Sequence, residues 1–162
     1  MRLLYQILYN SLMIVRNRKA KHEYELLDTY EAGIVLEGQE VKAVRTQGAK
    51  LDGAYVKIIG NEVHLINAHI PRYKFAGKDD DYDPSRTRKL LLNKREILKI
   101  KTKMEQKGDT TLVPLSIYTK HGRLKLEIAI GKGRKSWQKK RVKAQKTEKR
   151  RAQKEIKEYL KK

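Results

Sequence analysis

The chain reads as mainly β: a small closed barrel carrying one or two helices, followed by a basic C-terminal tail that is largely helical or disordered. Three observations predict this. Short apolar segments between Glu23 and Ile130 alternate in the strand manner, and two pairs of them are joined by glycine-containing turns. Past the last segment the cations concentrate: residues 131–162 hold 15 of the 39 Lys and Arg but only 3 of the 19 acids, and so carry +12 of the formal +20.

Taken in order, the first strand segment spans about Glu23 to Leu36, with Tyr24, Leu26, Tyr30, Ile34 and Leu36 apolar and Gly33 inside it as a bend or bulge. Gln39 to Arg45 predicts a short helix between Gly38 and Gly48, with Val41 and Val44 three apart. Ala54 to Ile59 and Glu62 to Ile70 flank Gly60-Asn61, a hairpin signal whose Gly-Asn order leaves the turn type open. Between Tyr73 and Arg88 there is little to bury, and Gly77 and the acids Asp79, Asp80, Asp81 and Asp83 predict a mobile loop. Asn93 to Gln106 is the stronger helix. Asn93 caps it, Glu96 completes a capping box, and Ile97, Ile100 and Met104 recur at helical spacing before Lys107-Gly108 ends it. Thr111 to Thr119 and Arg123 to Ile130 then flank Lys120-His121-Gly122, where glycine supplies a positive φ. Pro114 predicts an edge, a bulge or a strand start.

Five or six short strands in one domain's length of chain favour closure, which removes exposed sheet edges. A barrel of the oligonucleotide-binding kind is a suitable frame for a basic binder; an α+β sandwich fits the same pattern. The expected organisation is an N-terminal extension over 1–16, a barrel domain over 17–130 with the mobile loop 73–88, and the cationic tail over 131–162. Leu3, Leu4, Ile7, Leu8, Leu12, Ile14 and Val15 make 3–15 locally apolar, but Tyr5, Gln6, Tyr9, Asn10 and Ser11 interrupt it too often for a signal peptide. A short amphipathic helix, or a stretch ahead of an alternative start at Met13, is expected there. No apolar run approaches the roughly 18 residues of a membrane span. The absence of cysteine excludes disulfides and thiolate–metal sites and fits a reducing cytosol.

A folded body with a dense cationic arm is suited to a polyanion, where counterion release gives salt-sensitive affinity. Nucleic acid is therefore the leading partner. In the tail, Gly131, Lys132, Gly133, Arg134 and Lys135 read as a flexible cationic hinge whose glycines allow close approach to phosphate. From Gln138 onward the composition favours helix, yet Lys139, Lys140, Arg141 and Lys143 repel one another. That stretch is expected to be disordered or frayed when free and to become helical against phosphate, with Ile156, Tyr159 and Leu160 as a small apolar foot. Trp137, between cations, reads either as a ring stacking on a base or as one docked on the barrel.

Enzyme chemistry finds no support in the residue pattern. His22, His64, His69 and His121 are dispersed without metal-ligand spacing, and His64 and His69 fall on opposite faces of one strand. The loop aspartates suit Mg²⁺ by chemistry but read better as a solubilising loop. No cofactor or metal is expected. His22, beside Lys21 and Arg18, is a candidate for phosphate contact as well as for an ordinary surface role. Glu31, near Gly33, reads either as an acceptor for a guanine or cytosine donor or as half of a structural pair. Glu40 is expected to pair with Lys42 and Arg45. Leu90, Leu91 and Leu92 cannot all face one core from a strand. If Leu91 points away, it forms with Asn93 a small contact spot for an unstacked base; otherwise all three pack between barrel and helix.

Several stretches together resemble the family of the SsrA-binding protein, or small protein B. They are Asn17-Arg18-Lys19-Ala20-Lys21-His22-Glu23-Tyr24, Tyr30-Glu31-Ala32-Gly33 and Gly38-Gln39-Glu40-Val41-Lys42. Ala68-His69-Ile70, Asp83-Pro84 with Arg86, and Arg88-Lys89-Leu90-Leu91-Leu92-Asn93-Lys94-Arg95-Glu96 continue the match. Gln106-Lys107-Gly108, Leu112-Val113-Pro114-Leu115 and Lys132-Gly133-Arg134-Lys135 complete it. The resemblance runs in register from residue 17 to about 143.

It implies a cytoplasmic, non-enzymatic RNA binder, monomeric when free, with an oligonucleotide-binding-type barrel. That barrel holds the tRNA-like domain of transfer-messenger RNA and brings it to stalled ribosomes for trans-translation. The tail then occupies the empty decoding site and mRNA channel, and elongation factor Tu joins through the RNA complex. The family's barrel contacts fall on Glu31, Leu91 and Asn93, and Arg18, Lys19, His22 and Arg45 are added as phosphate contacts. Lys132, Arg134, Lys135, Trp137, Lys139, Lys140 and Arg141 are the hinge and tail candidates. A general ribosome-associated structural RNA binder is the alternative. The chain departs from the family at Trp137-Gln138-Lys139-Lys140, where a His or Tyr followed by Asp-Lys-Arg is usual. This implies retained stacking with altered hydrogen bonding. Residues 1–12 match nothing in the resemblance.

Overall fold

Two long strands, β6 (Thr110–Lys120) and β7 (Arg123–Gly133), form the backbone of the fold. The computed structural model describes residues 13–77 and 81–159. His121 and Gly122 join the two strands with φ of 50° and 72°, both left-handed, as a type I′ hairpin turn requires. Pro114 sits inside β6 beside a bulge: the register shifts between Pro114 and Ser116, so the ladder tolerates a residue without an N–H.

Around this hairpin the sheet closes. β2 (Tyr24–Ile34) runs antiparallel to β7, then to β5 (Arg88–Leu91), and β5 pairs with β4 (Glu62–Ile66). β4 forms a hairpin with β3 (Tyr55–Ile59), which returns to β6 through Val56 and Leu112. The result is a six-stranded ring. At its seam a ladder hydrogen bond is worth about 1 kcal/mol net, whereas each fully buried Leu or Ile adds roughly 1.5–3 kcal/mol. The interior side chains Val56, Leu65, Leu90, Leu112, Leu126, Ile128 and Ile130, all buried, therefore hold the barrel shut more than its backbone does. In the β3–β4 turn Gly60 alone takes a positive φ, 61°, which is the type II′ pattern and settles the turn type.

β1 (Met13–Arg16) lies along the second half of β6, from Met13 opposite Tyr118 to Arg16 opposite Ser116. This corrects the expected boundary at 16. The last four residues of the expected extension form a strand, fixed by partners about a hundred residues away and by burial of Val15. Residues 1–12, including the rest of that extension, lie outside the described residues.

Four helices attach to the barrel among the described residues. α1 (Ala20–Glu23) covers the outer face of β6 and β7, burying Ala20 with Val113, Leu115 and Ala129. α2 (Gly38–Gln47) places Ala43 and Val44 in the main core. α3 (Lys94–Lys107) has the predicted Asn93–Glu96 capping box, and it buries Ile97 and Ile100. α4 (Ser136–Tyr159) is the arm, a single 24-residue helix, the form expected of the tail against phosphate.

Two further expectations change. Within the expected loop over 73–88, the 82–88 end is bonded to the barrel: the Tyr82 hydroxyl donates to Ile70 O at 2.9 Å, Ile70 N donates to Pro84 O at 3.0 Å, and Arg88 is fully buried. Asp79 and Asp80 lie outside the described residues. The expected hinge also begins later, because Gly131 and Gly133 belong to β7 and pair with Leu26 and Tyr24. A Cβ on Gly131 would meet Tyr24 Cβ and Val113 Cγ2, both at 3.1 Å, so glycine is there for close packing of strands and not for flexibility.

Candidate nucleic-acid interface

Glu40 and the two arginines near it show how the barrel fixes its outer face. The carboxylate is fully buried and accepts Arg86 Nε at 3.0 Å, Arg88 Nε at 2.9 Å and the Glu37 backbone N–H at 2.9 Å. Arg88 also donates to the carbonyls of Ala68, Arg86 and Pro84. Burial pushes the Glu40 carboxyl up, but Arg86, the Glu37 N–H and Arg88 outweigh it and hold the group below its usual range. Glu40 is therefore a structural pair, as expected, but with Arg86 and Arg88 instead of Lys42 and Arg45. The network fastens α2 and the 82–88 segment to β5, and this sets the height of the next residues along.

Those residues are Leu90 and Leu91. Leu90 points into the barrel at 2% exposure, and Leu91 points outward at 54%. Leu91 stands opposite Gly33 across the β2–β5 pair, where a Cβ on Gly33 would lie 3.1 Å from Leu91 Cβ. Gly33 thus makes room for Leu91, while the irregularity of β2 falls between Leu26 and Thr29. Around this pair a shallow depression is lined by Arg45, Gly122, Arg123 and Lys125. Arg45 crosses it to donate from Nη2 to Gly122 O at 2.7 Å. Asn93, two residues beyond Leu91, is exposed, and its backbone N–H donates to Glu96 Oε2 at 3.0 Å.

Glu31 is two residues from Gly33 on the same face of β2. Its Oε2 accepts Lys120 Nζ at 2.8 Å and the Tyr118 hydroxyl. Lys120, then Tyr118, hold the carboxyl below its usual range, so it is ionised at neutral pH. Directly opposite stands a second acid, Glu127, whose Oε2 accepts the Ser116 hydroxyl at 2.9 Å. Like charges placed across a ladder repel, and each is offset by its own donor on β6. Sequence reasoning missed Tyr118, Lys120 and Lys125. The two-residue turn at 121–122 makes the β6–β7 register legible, but the placement of Glu31 beside it depends on β2.

Structure thus brings Glu31, Leu91, Asn93 and Arg45 to one end of the barrel. The remaining predicted residues gather elsewhere. β2 carries about 30 Å of chain between Gly33 and Tyr24 at strand rise, and at the Tyr24 end lie α1 and the root of the arm. Lys19 is ion-paired with Asp52 at 3.0 Å, and that partner raises its pKa. Arg18, Lys21 and His22 face α4, where Lys143, Lys146 and Arg150 line the opposite wall of a cleft. Lys132 is exposed and lies across from Glu25 and Thr110. Arg134 is strapped down, with its N–H donating to Glu23 O at 2.9 Å and its Nε to Tyr24 O at 3.2 Å. The Lys135 N–H donates to Gln138 Oε1 at 3.0 Å. Lys139 is half-buried on α4, whereas Lys140 and Arg141 are exposed. The Trp137 side chain lies outside the described residues. Among the described residues, no three His, Asp or Glu side chains come together as a metal site, and no helix is long and apolar enough to cross a membrane.

Residues 14–158 match the family model described as SmpB protein. The "SsrA-binding protein" of Protochlamydia amoebophila is 46% identical over 145 residues, covering 90% of this chain and 94% of that one. The protein of the same description from Frankia casuarinae is 49% identical over 127 residues, covering 78% and 79%. A solved chain described under "tmRNA-SmpB: a journey to the center of the bacterial ribosome" superposes with a TM-score of 0.61 at 42% identity, over 75% of this chain and 85% of that one. The mainly β barrel with its attached helices is thus the architecture of that neighbour as well, and the resemblance seen in the sequence holds across nearly the whole length. The chain belongs to the SmpB protein family.

Proposed function

We propose that this chain binds the tRNA-like domain of transfer-messenger RNA and brings it to stalled bacterial ribosomes, where the arm occupies the empty decoding site and the mRNA channel. The observation that carries this reading is an ionised acceptor, Glu31, two residues along β2 from Gly33, beside a depression that an outward leucine, Leu91, lines with Arg45, Arg123 and Lys125. Phosphate contacts position a nucleic acid, and directional groups select it. A carboxylate on a surface of net positive charge opposes non-specific binding unless it pairs with a neighbouring cation, as Glu31 does with Lys120, or accepts a base-edge donor, the role proposed for it. Family membership supplies the identity of the RNA, since the relatives are SsrA-binding proteins.

The two ends of the molecule then divide the work. Glu31, Leu91, Asn93 and Arg45 contact the tRNA-like domain. Arg18, Lys19, His22, Lys132, Arg134 and Lys135, with Lys139, Lys140 and Arg141 of α4, meet phosphate on the ribosomal side, and Trp137 stacks on a base there. The action is steric and electrostatic, performed by a cytoplasmic monomer without cofactor, and elongation factor Tu joins through the RNA.

Affinity for the tRNA-like domain is the test, measured against bulk tRNA and duplex RNA at near-physiological salt. Specific recognition predicts binding at least 10³-fold tighter than the phosphate-only background, of the order seen for specific protein–nucleic acid pairs. Equal affinities would instead identify a general ribosome-associated RNA binder.

A further inference from the structure

Phe75 is the most exposed large apolar side chain among the described residues, at 78%. Scattered exposed hydrophobics are ordinary, but this one stands at the tip of a built turn. The Ala76 N–H donates to Tyr73 O at 2.9 Å, and Arg72 Nη2 donates to Gly77 O, closing residues 72–77 on themselves. Tyr73 packs against the barrel core and meets Phe75 edge to face, with centroids 5.7 Å apart and planes at 67°. One aromatic ring is thus anchored, and it props the other toward solvent.

Cations surround the pair. Lys74 Nζ lies 5.9 Å from the Phe75 centroid, and Lys42 Nζ lies 5.7 Å from that of Tyr73. Lys42 belongs to α2, whose Val41 and Arg45 line the depression beside Leu91. The turn therefore continues the proposed RNA face across α2. A ring that is 78% exposed and set among cations suits an unpaired base, which supplies a flat apolar surface joined to a phosphate.

We propose that Phe75 is a stacking platform for an unpaired base of the bound RNA, with Lys74, Lys42 and Arg72 drawing in the adjoining phosphates. This rests on the reading of the Glu31–Leu91 face as the site for the tRNA-like domain. It adds a contact to a single-stranded nucleotide outside that depression.

The experiment is a coupling measurement with the full chain. Binding of the tRNA-like domain is measured for the unaltered protein, Phe75→Ala, Phe75→Trp and Glu31→Ala, each with RNAs carrying a single abasic nucleotide at successive unpaired positions. The expected result is a loss of about tenfold for Phe75→Ala, within the range of base–aromatic stacking. Phe75→Trp should retain affinity. One abasic position should weaken the unaltered protein yet leave Phe75→Ala unaffected. The inference is overturned if Phe75→Ala binds within twofold of the unaltered protein, or if the abasic and Phe75→Ala losses add at every position. Failure of the underlying reading has a different signature: the unaltered protein and Glu31→Ala would bind the tRNA-like domain no better than bulk tRNA.

Discussion

Glu31 and Glu40 are nine positions apart in sequence and held by cations in both cases, yet only one faces solvent. Glu40 has every acceptor site engaged by Arg86, Arg88 and the Glu37 N–H and is sealed from water. Removing its charge leaves Arg88 buried and uncompensated, so Glu40→Ala should lower stability by about 3–5 kcal/mol, read from the urea midpoint. The pH dependence follows from the sign of the shift. The folded carboxyl lies below its ordinary 4.5, so its contribution is complete above that value and is lost as pH falls through the lower folded value. Glu40→Gln should flatten this acid limb of the stability curve. Glu31 differs because Tyr118 and Lys120 fix its exposed carboxylate without covering it. Tyr118→Phe should weaken RNA binding by about fivefold, the worth of one net hydrogen bond. In a Glu31→Ala background the same change should do nothing; additive losses would show that Tyr118 acts on the RNA independently.

At the level of elements, what is local was legible. The α3 capping box and both hairpins follow from residues within one turn of one another and are present, the second with a turn one residue shorter than the expected 120–122. Of the edge, bulge or strand start expected at Pro114, the bulge is what forms beside it. The pairings of Glu40 with Arg86 and Arg88, 46 and 48 residues away, were not legible, nor were those of Glu31 with Tyr118 and Lys120, 87 and 89 away. These depend on strand order, which composition and periodicity do not specify. The same limit hid β1, whose four residues gain their strand character only beside β6. It also misassigned Gly131, which looked like a hinge because glycine beside lysine is what a hinge contains. The packing predicts that Gly131→Ala costs about 1–3 kcal/mol by overpacking against Tyr24 and Val113. A hinge would instead gain slightly from the reduced freedom of its unfolded chain. Thermal denaturation of the variant separates the two.

Over the whole molecule, the charge is divided between residues 1–130, with 24 Lys and Arg against 16 acids, and an arm with 15 against 3. The barrel face has directional groups for selection, and the arm has length and charge for a channel lined by phosphate. Shortening the chain after Gly133 keeps all seven strands and α1 to α3 intact. The shortened chain should therefore show a shallower salt dependence on bulk RNA, with a smaller slope in log affinity against log salt. The most direct test of this division is tagging of a stalled nascent chain in a reconstituted translation reaction, with the chain ending at Gly133 added at a concentration that saturates the tRNA-like domain. The account predicts that the RNA is bound and tagging is lost; tagging at the level of the full chain would contradict it.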